Sequence, residues 1–189
     1  MRRSTYRAMS ESPTRSGDEL GGVSVRPEEP SDAAAVYELN RRAFGCDDEA
    51  RLVEALRGTA DLVSLAADLR GEVVGHILFT PVTIGGQPEP PRALGLGPMA
   101  VLPELQNRGI GSRLVRAGLD AARRAGYEVV VVVGHPAFYP RFGFMPASRK
   151  GLRCEYAVPD EAFMVTELEP AALRGRSGIV KYLPVFSGV

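Results

Sequence analysis

Five consecutive valines, Val129–Val133, constrain most strongly how this chain can fold. An unbroken β-branched run between Glu128 and Gly134 reads as a strand buried on both faces, not as one half-wet face of a sheet. Such a strand sits inside a sheet with a covering layer on each side. The chain has 189 residues, 44% of them hydrophobic. That is enough to bury one such core and short for two.

The segments around the valine run predict the rest of the layers. Residues 23–26 read as a short first strand. Ser31 is expected to N-cap a helix over 32–44, with Ala35, Leu39 and Phe44 as its apolar stripe. Residues 48–57 read as a second helix, acidic at its start, basic at its end and stopped by Gly58. Residues 62–69 and 73–84 predict two strands joined at the hairpin signal Arg70-Gly71-Glu72. A fourth strand over 94–102 must bulge or splay at Gly97-Pro98, because proline cannot donate to a ladder. Residues 109–124 carry the best helical pattern, with Ile110, Leu114, Ala117 and Ala121 on one stripe and Gly126 as C-cap. Residues 136–142 predict a short helix or turn. Further strands are expected from Phe144 and over 163–168, and an extended tail over 179–186. The fold class is therefore α+β (mixed α/β), with a central, mostly antiparallel sheet flanked by helices. Residues 1–22, rich in Ser, Arg, Gly and Glu, read as a disordered leader, and 23–189 as a single domain.

Gln106-Asn107-Arg108-Gly109-Ile110-Gly111-Ser112 opens the best helix. From Leu105 to Leu119 there is no Asp or Glu, but there are Arg108, Arg113 and Arg116. A helix N-terminus is the positive end of the dipole and ordinarily attracts acidic side chains. This one is basic and glycine-rich, with first-turn N–H groups free to point outward. The combination expects a bound anion, most plausibly a phosphate or pyrophosphate. A P-loop would need Lys and then Ser or Thr after its last glycine, whereas Gly111 is followed by Ser112 and Arg113. A Rossmann fingerprint would need a third glycine where Leu114 stands, and an acidic residue ending the next strand, where Glu128 instead begins it. A glycine-rich helix start without a ligand is the remaining structural reading.

Composition removes several functions. Lys plus Arg and Asp plus Glu both total 23, so the formal charge is zero, without the basic excess of a nucleic-acid binder. No apolar run approaches the ~18 residues of a membrane span. Cys46 and Cys154 lie far apart without metal-ligand spacing and read as free thiols of a cytoplasmic protein.

Residues 106–111 match the (Gln/Arg)-x-x-Gly-x-(Gly/Ala) signature of GNAT-superfamily acyl-CoA N-acyltransferases. Met99-Ala100-Val101-Leu102-Pro103-Glu104 resembles the strand and loop that precede it in that family. Phe138-Tyr139-Pro140-Arg141-Phe142-Gly143-Phe144 resembles its short helix ending in a Gly-Phe turn. With Gly75-His76-Ile77-Leu78-Phe79, the chain is similar to the bacterial YhbS-like subgroup over residues 23–168. The resemblance implies a sheet splayed between strands 4 and 5, with the pantetheine arm of acetyl-CoA lying in the gap. It further implies backbone contacts from Met99, Ala100 and Val101, and a pyrophosphate held by Gln106, Asn107, Arg108, Gly109, Ile110, Gly111 and Ser112. The implied reaction is direct attack of an amine on the acetyl thioester, with Tyr139 as the acid for the leaving thiolate. A general base is left open among His76, His135, Glu104, the Asp47-Asp48-Glu49 segment and a water chain. The sequence departs from many members at Val132, where they carry an Asn. The partner expected is an amine acceptor, with a homodimer as a further implication. The alternative is a non-catalytic acyl-CoA-binding module that kept the cleft.

Overall fold

The structure is a computed structural model and describes residues 22–86 and 88–188. The leader expected over 1–22 lies, apart from Gly22, outside the described residues. In chain order the elements are β1 (Val23–Pro27), α1 (Ala33–Phe44), α2 (Asp48–Leu56), β2 (Val63–Leu69), β3 (Glu72–Ile84), β4 (Ala93–Val101) and α3 (Ile110–Arg124). There follow β5 (Val129–Val133), a 3₁₀ turn at Tyr139–Phe142, β6 (Met145–Pro146), β7 (Leu152–Cys154), β8 (Phe163–Glu167) and β9 (Gly178–Lys181). The main sheet runs β1-β2-β3-β4-β5-β8-β6. Its neighbours are antiparallel except β4 and β5, which are parallel.

The valine run lies near the middle of this sheet and divides its side chains between two cores. Val130 and Val132 face α3 with Ile77, Phe79, Leu94, Leu96 and Leu114. Val129 and Val131 face the opposite core, with Ile84, Phe163, Val165, Leu152 and Val180. The period-2 alternation of a strand produces this division, and it explains why both faces of the run are apolar. A third cluster, Val36, Leu52, Val53, Leu56 and Leu78, seats α1 and α2 on the face away from α3.

Several local expectations are corrected. Ser31 is exposed and does not cap α1. Asp32 organises that corner instead: it accepts the Glu29 N–H at 2.8 Å and is gripped by the Arg26 guanidinium at 2.6 and 2.9 Å. The buried residues of α1 are Val36, Leu39 and Asn40, while Ala35 is exposed and Phe44 is 43% exposed. The stripe is rotated because the helix approaches β3 and β4 through its 36–40 side. On α3 the buried line is Ile110, Leu114, Val115, Gly118, Leu119 and Ala122, and Ala117 and Ala121 are only half-buried. The tail expected as simply extended forms β9, which pairs with the end of β3 and with β7, a strand that sequence periodicity did not reveal.

Gly118 sets how closely α3 lies on the sheet. A Cβ there would overlap the edge of the Phe79 ring, itself fully buried. Gly118→Ala is therefore expected to lower stability by ~1–3 kcal/mol by overpacking, although alanine has the higher helix propensity. Urea denaturation with an unchanged m-value would check it; a stabilised variant would show that the ring can move aside.

Candidate active site

The hydrogen-bond pattern of β4 builds the site. Its parallel pairing with β5 runs from Ala93↔Val129 to Leu96↔Val132 and stops there. Gly97 and Pro98 follow, joined by a cis peptide, and the register against β3 shifts between Ile77 and Phe79. Beyond the shift β4 stays paired with β3 only, through Ile77↔Met99, His76↔Ala100 and Gly75↔Val101. The Leu102 N–H donates to the Val74 carbonyl at 3.0 Å, so even-numbered residues turn their backbone polar groups toward β3. By strand alternation Met99 and Val101 turn theirs the other way, into the gap that β5 has left. The bulge expected at Gly97-Pro98 thus frees one strand edge inside an otherwise paired sheet.

The loop after β4 closes the end of this gap. A 3₁₀ turn at Pro103–Leu105 is followed by Asn107 and Gly109, both left-handed with φ 61° and 85°. Gly109 is the N-cap of α3, and the first bond of the helix is Arg113 N–H to Gly109 C=O at 3.1 Å. The amides of Gly109, Ile110, Gly111 and Ser112 therefore precede the helical ladder and are the orphan donors of its first turn. No acidic residue occupies that turn. Arg108 is exposed there, Arg113 donates to the Val23 carbonyl at 3.0 Å, and Arg116 lies over the Phe142 ring at 5.4 Å. Gln106 is used internally: its Nε2 donates to the Val101 carbonyl at 3.1 Å and braces the loop against the end of β4.

The segment after β5 supplies the other wall. A Cβ on Gly111 would stand 3.6 Å from Phe138 Cζ and 3.7 Å from Met99 Cε, so both side chains come up to the helix start. Phe138 packs edge-on against Tyr139 at 5.1 Å between centroids, and Tyr139 against Phe144 at 5.6 Å. Tyr139 is 7% exposed. Its ring fills the space that a side chain on Gly134 would occupy, so the glycine ending the valine strand is a socket for the tyrosine. Met99, Ala100, Val101, residues 106–112 and Tyr139 are thus gathered around one end of β4. Val132 belongs to the α3 core.

The candidate bases are dispersed. Glu104 is exposed and pairs with Arg42 at 3.0 Å. His135 is exposed and its Nδ1 accepts the Ala137 N–H at 3.2 Å in a local turn. Asp47 pairs with Arg51 at 3.4 Å, and Glu49 accepts from the Cys46 thiol at 3.2 Å. His76 is fully buried, with Nε2 2.9 Å from Ser64 Oγ and 3.2 Å from Glu28 Oε2. Arg57 donates to the other Glu28 oxygen at 2.7 Å. Sequence reasoning missed Glu28, Ser64, Arg57 and Asn40 as a group, because their spacing along the chain carries no common period.

The family model described as "Acetyltransferase (GNAT) family" matches residues 33–144. The chain belongs to the GNAT acetyltransferase family. GNAT relatives match it over most of their length. The N-acetyltransferase YhbS of Escherichia coli K12 is 40% identical over 160 residues, covering 84% of this chain and 95% of the relative. The N-acetyltransferase YjhQ of the same strain is 43% identical over 135 residues, covering 69% and 75%. Among solved GNAT structures, E. coli YhbS in complex with CoA superposes with a TM-score of 0.83 at 37% identity, covering 92% of this chain and 96% of that one. A Brucella melitensis GNAT acetyltransferase in complex with acetyl-CoA gives 0.71 at 35% identity, covering 87% and 97%.

Glu28 links this site to acid stability. Burial pushes its carboxyl up, but hydrogen bonds from His76, Ser64 and Arg57 outweigh burial and hold it at about 2, below its ordinary 4.5. Stability from this group is present above the unfolded value and is lost as pH falls from about 5 toward 2. The loss is expected to be on the order of 2–3 kcal/mol. Denaturant midpoints measured across that window should fall less steeply in Glu28→Gln than in the wild type.

Proposed function

We propose that the β4–β5 gap and the N-terminus of α3 form the acetyl-CoA site, and that the protein acetylates a primary amine of a small molecule or peptide by direct attack. As a GNAT family member the protein is an N-acetyltransferase with acetyl-CoA as acetyl donor. One observation carries the assignment of the site. The free backbone edge of Met99 and the Val101 N–H leads to four orphan amides at a helix start with no acidic residue. Both relatives solved with CoA or acetyl-CoA share more than a third of their residues with this chain, which supports the same reading.

The residues fit such a ligand. Nothing lies within 4 Å of the Cβ position of Gly109, and Gly111 meets only Phe138 and Met99 side chains at ordinary contact distance. Backbone N–H groups from Arg108 to Ser112 would hold the pyrophosphate with the help of the helix dipole, and Arg108 would add charge. The backbone of Met99 and the Val101 N–H would pair with the pantetheine amides as a neighbouring strand does, the Val101 carbonyl being taken by Gln106. Acetyl-CoA supplies an activated acetyl thioester. Tyr139, held by Phe138, Phe144 and the Gly134 socket, would deliver a proton to the departing thiolate. The same reading takes residues 23–189 as one catalytic domain, supported by the continuous sheet from β1 to β6. It places that domain in the cytoplasm, which the two free thiols support. Among the described residues no helix is long and apolar enough to cross a membrane.

Millimolar CoA is expected to raise the melting temperature, by the equivalent of ~2.7 kcal/mol at 100 times its dissociation constant. Gly111→Glu should abolish that shift while leaving a folded protein, because it sets a carboxylate against the pyrophosphate. Gly111 is the cleaner position for this test, since φ at Gly109 is 85° and any side chain there adds backbone strain. An unchanged CoA shift in folded Gly111→Glu would move the phosphate site elsewhere. CoA-induced stabilisation without thiol release from acetyl-CoA across an amine panel would favour a non-catalytic acyl-CoA-binding module.

Tyr139→Phe removes only the hydroxyl and should leave CoA binding intact. Turnover is expected to fall ~10²-fold, in kcat more than in KM. A kcat at the wild-type level would reduce Tyr139 to a packing residue.

A further inference from the structure

Besides the Thr80 hydroxyl farther along β3, two polar atoms are buried without partners among the described residues on the α1 side of the sheet: His76 Nδ1 and Asn40 Oδ1. Their chemical states follow from their neighbours. The Ser64 hydroxyl donates to Glu28 Oε2, so its own oxygen is left to accept. Ser64 Oγ and the Glu28 carboxylate thus both face His76 Nε2 as acceptors, at 2.9 and 3.2 Å. Nε2 must carry the ring proton, and Nδ1 is then a bare lone pair in the neutral imidazole. Asn40 Nδ2 donates to the Val36 carbonyl at 2.8 Å, which assigns the amide and leaves Oδ1 as the unpaired atom. Buried polar atoms are almost always paired, and among the described residues neither of these two acceptors has a donor within hydrogen-bond reach.

Their place in the fold indicates which donor. His76 stands directly across from Ala100, between the Met99 and Val101 backbones that turn into the gap. Its side chain points away from α3, since Ile77 and Phe79 on either side of Leu78 belong to the α3 core and Leu78 to the α1–α2 cluster. α1 runs over this face. Val36 packs with Leu78, two residues beyond His76, and Arg42 pairs with Glu104 just past the end of β4. Asn40 lies between those two anchors along the helix and is fully buried. The facing element on β4 contributes only the methyl group of Ala100. The charged groups in contact with or flanking the imidazole are Glu28, the Arg57 that clamps it, the Arg26–Asp32 pair along the β1 edge, and the Arg42–Glu104 pair at the far end of α1.

We propose that His76 Nδ1 and Asn40 Oδ1 receive the ammonium group of the acceptor, directly or through one water, and that His76 takes its proton, with Glu28 as the positioning residue. This rests on the transfer reading above. A primary ammonium carries three donors and suits two bare acceptors. One proton passes from R–NH3⁺ to Nδ1, leaving a neutral amine and an imidazolium whose Nε2–H faces the Glu28 carboxylate. The amine nitrogen then forms the C–N bond at the acetyl carbon, the C–S bond breaks, and its electron pair leaves on sulfur. The second N–H proton lost by the nitrogen balances the one delivered to the thiolate, and the proton on His76 returns to solvent. Arg57 and Ser64 keep Glu28 in one orientation, and so fix which ring nitrogen is free.

The chain has two histidines, so ¹H–¹⁵N correlation spectra resolve His76 from His135 by comparison with His135→Ala. The proposal expects neutral His76 to be the Nε2–H tautomer, and expects the acid limb of kcat/KM for an amine from the panel to follow its titration. His76→Gln keeps an amide donor for Glu28 and Ser64 but has no basic atom. It should retain the CoA-induced melting shift and lose ~10²-fold in kcat/KM, with activity recovering as pH rises and the amine becomes neutral. Near-wild-type kcat/KM in His76→Gln would overturn the proposal. So would an Nδ1–H tautomer, or an acid limb displaced from the His76 titration. If His76→Gln does not fold, the tautomer and the limb in the wild type decide alone. Loss of the CoA shift in the wild type would instead sink the transfer reading itself.

Discussion

Backbone hydrogen bonding is normally exhausted inside a sheet, and the function of this fold depends on the place where it is not. β4 pairs with β3 along nearly its whole length but with β5 only as far as Leu96. Gly97-Pro98 ends the second partnership by removing a donor and shifting register. An edge is thereby created within the sheet, and the side chains of Met99 and Phe138 come up to the helix start at its end. Open edges are a hazard for most sheets, because they recruit other strands. Here the edge is short, recessed and aligned with a helix start, so it favours a narrow ligand that offers amides at one end and phosphates at the other.

Two kinds of polar group serve the site, and they are handled in opposite ways. The proposed anion side would use backbone amides on a surface loop, which need no desolvation and no ionisable partner. The proposed acceptor side sits under α1, around the fully buried His76 and Asn40. Ion pairs at the protein surface, such as Arg42 with Glu104, contribute little to stability. Glu28 is different: its three donors hold it charged inside the protein, and removing one of them would leave a buried carboxylate poorly compensated. That rigidity is what makes a single tautomer of His76 predictable from the geometry.

Much of the frame was legible from local pattern. The valine run, the Arg70-Gly71 hairpin and the long amphipathic α3 all rest on interactions between near neighbours in sequence, and they appear where periodicity places them. Ser31 misled because a good capping residue is only a local opportunity; Asp32, with Arg26 arriving from β1, had the stronger interaction. The stripes of α1 and α3 were rotated by the neighbours they met, most clearly where Gly118 lets Phe79 reach the helix axis. β7 was missed because three residues carry no period and its pairing partner lies in β9, more than twenty residues away.

The glycine-rich helix start and the proline within a strand are determined by sequence alone, because each acts through the backbone of its own residues. A helix start without acidic residues and a splayed strand could therefore be read before any coordinates. The grouping of Glu28, Arg57, Ser64 and His76, the orientation of Asn40 and the seating of Tyr139 against Gly134 were decided only by tertiary structure. Those contacts join different elements, and which side chain meets which depends on register, helix rotation and packing distance. No local spacing encodes those quantities.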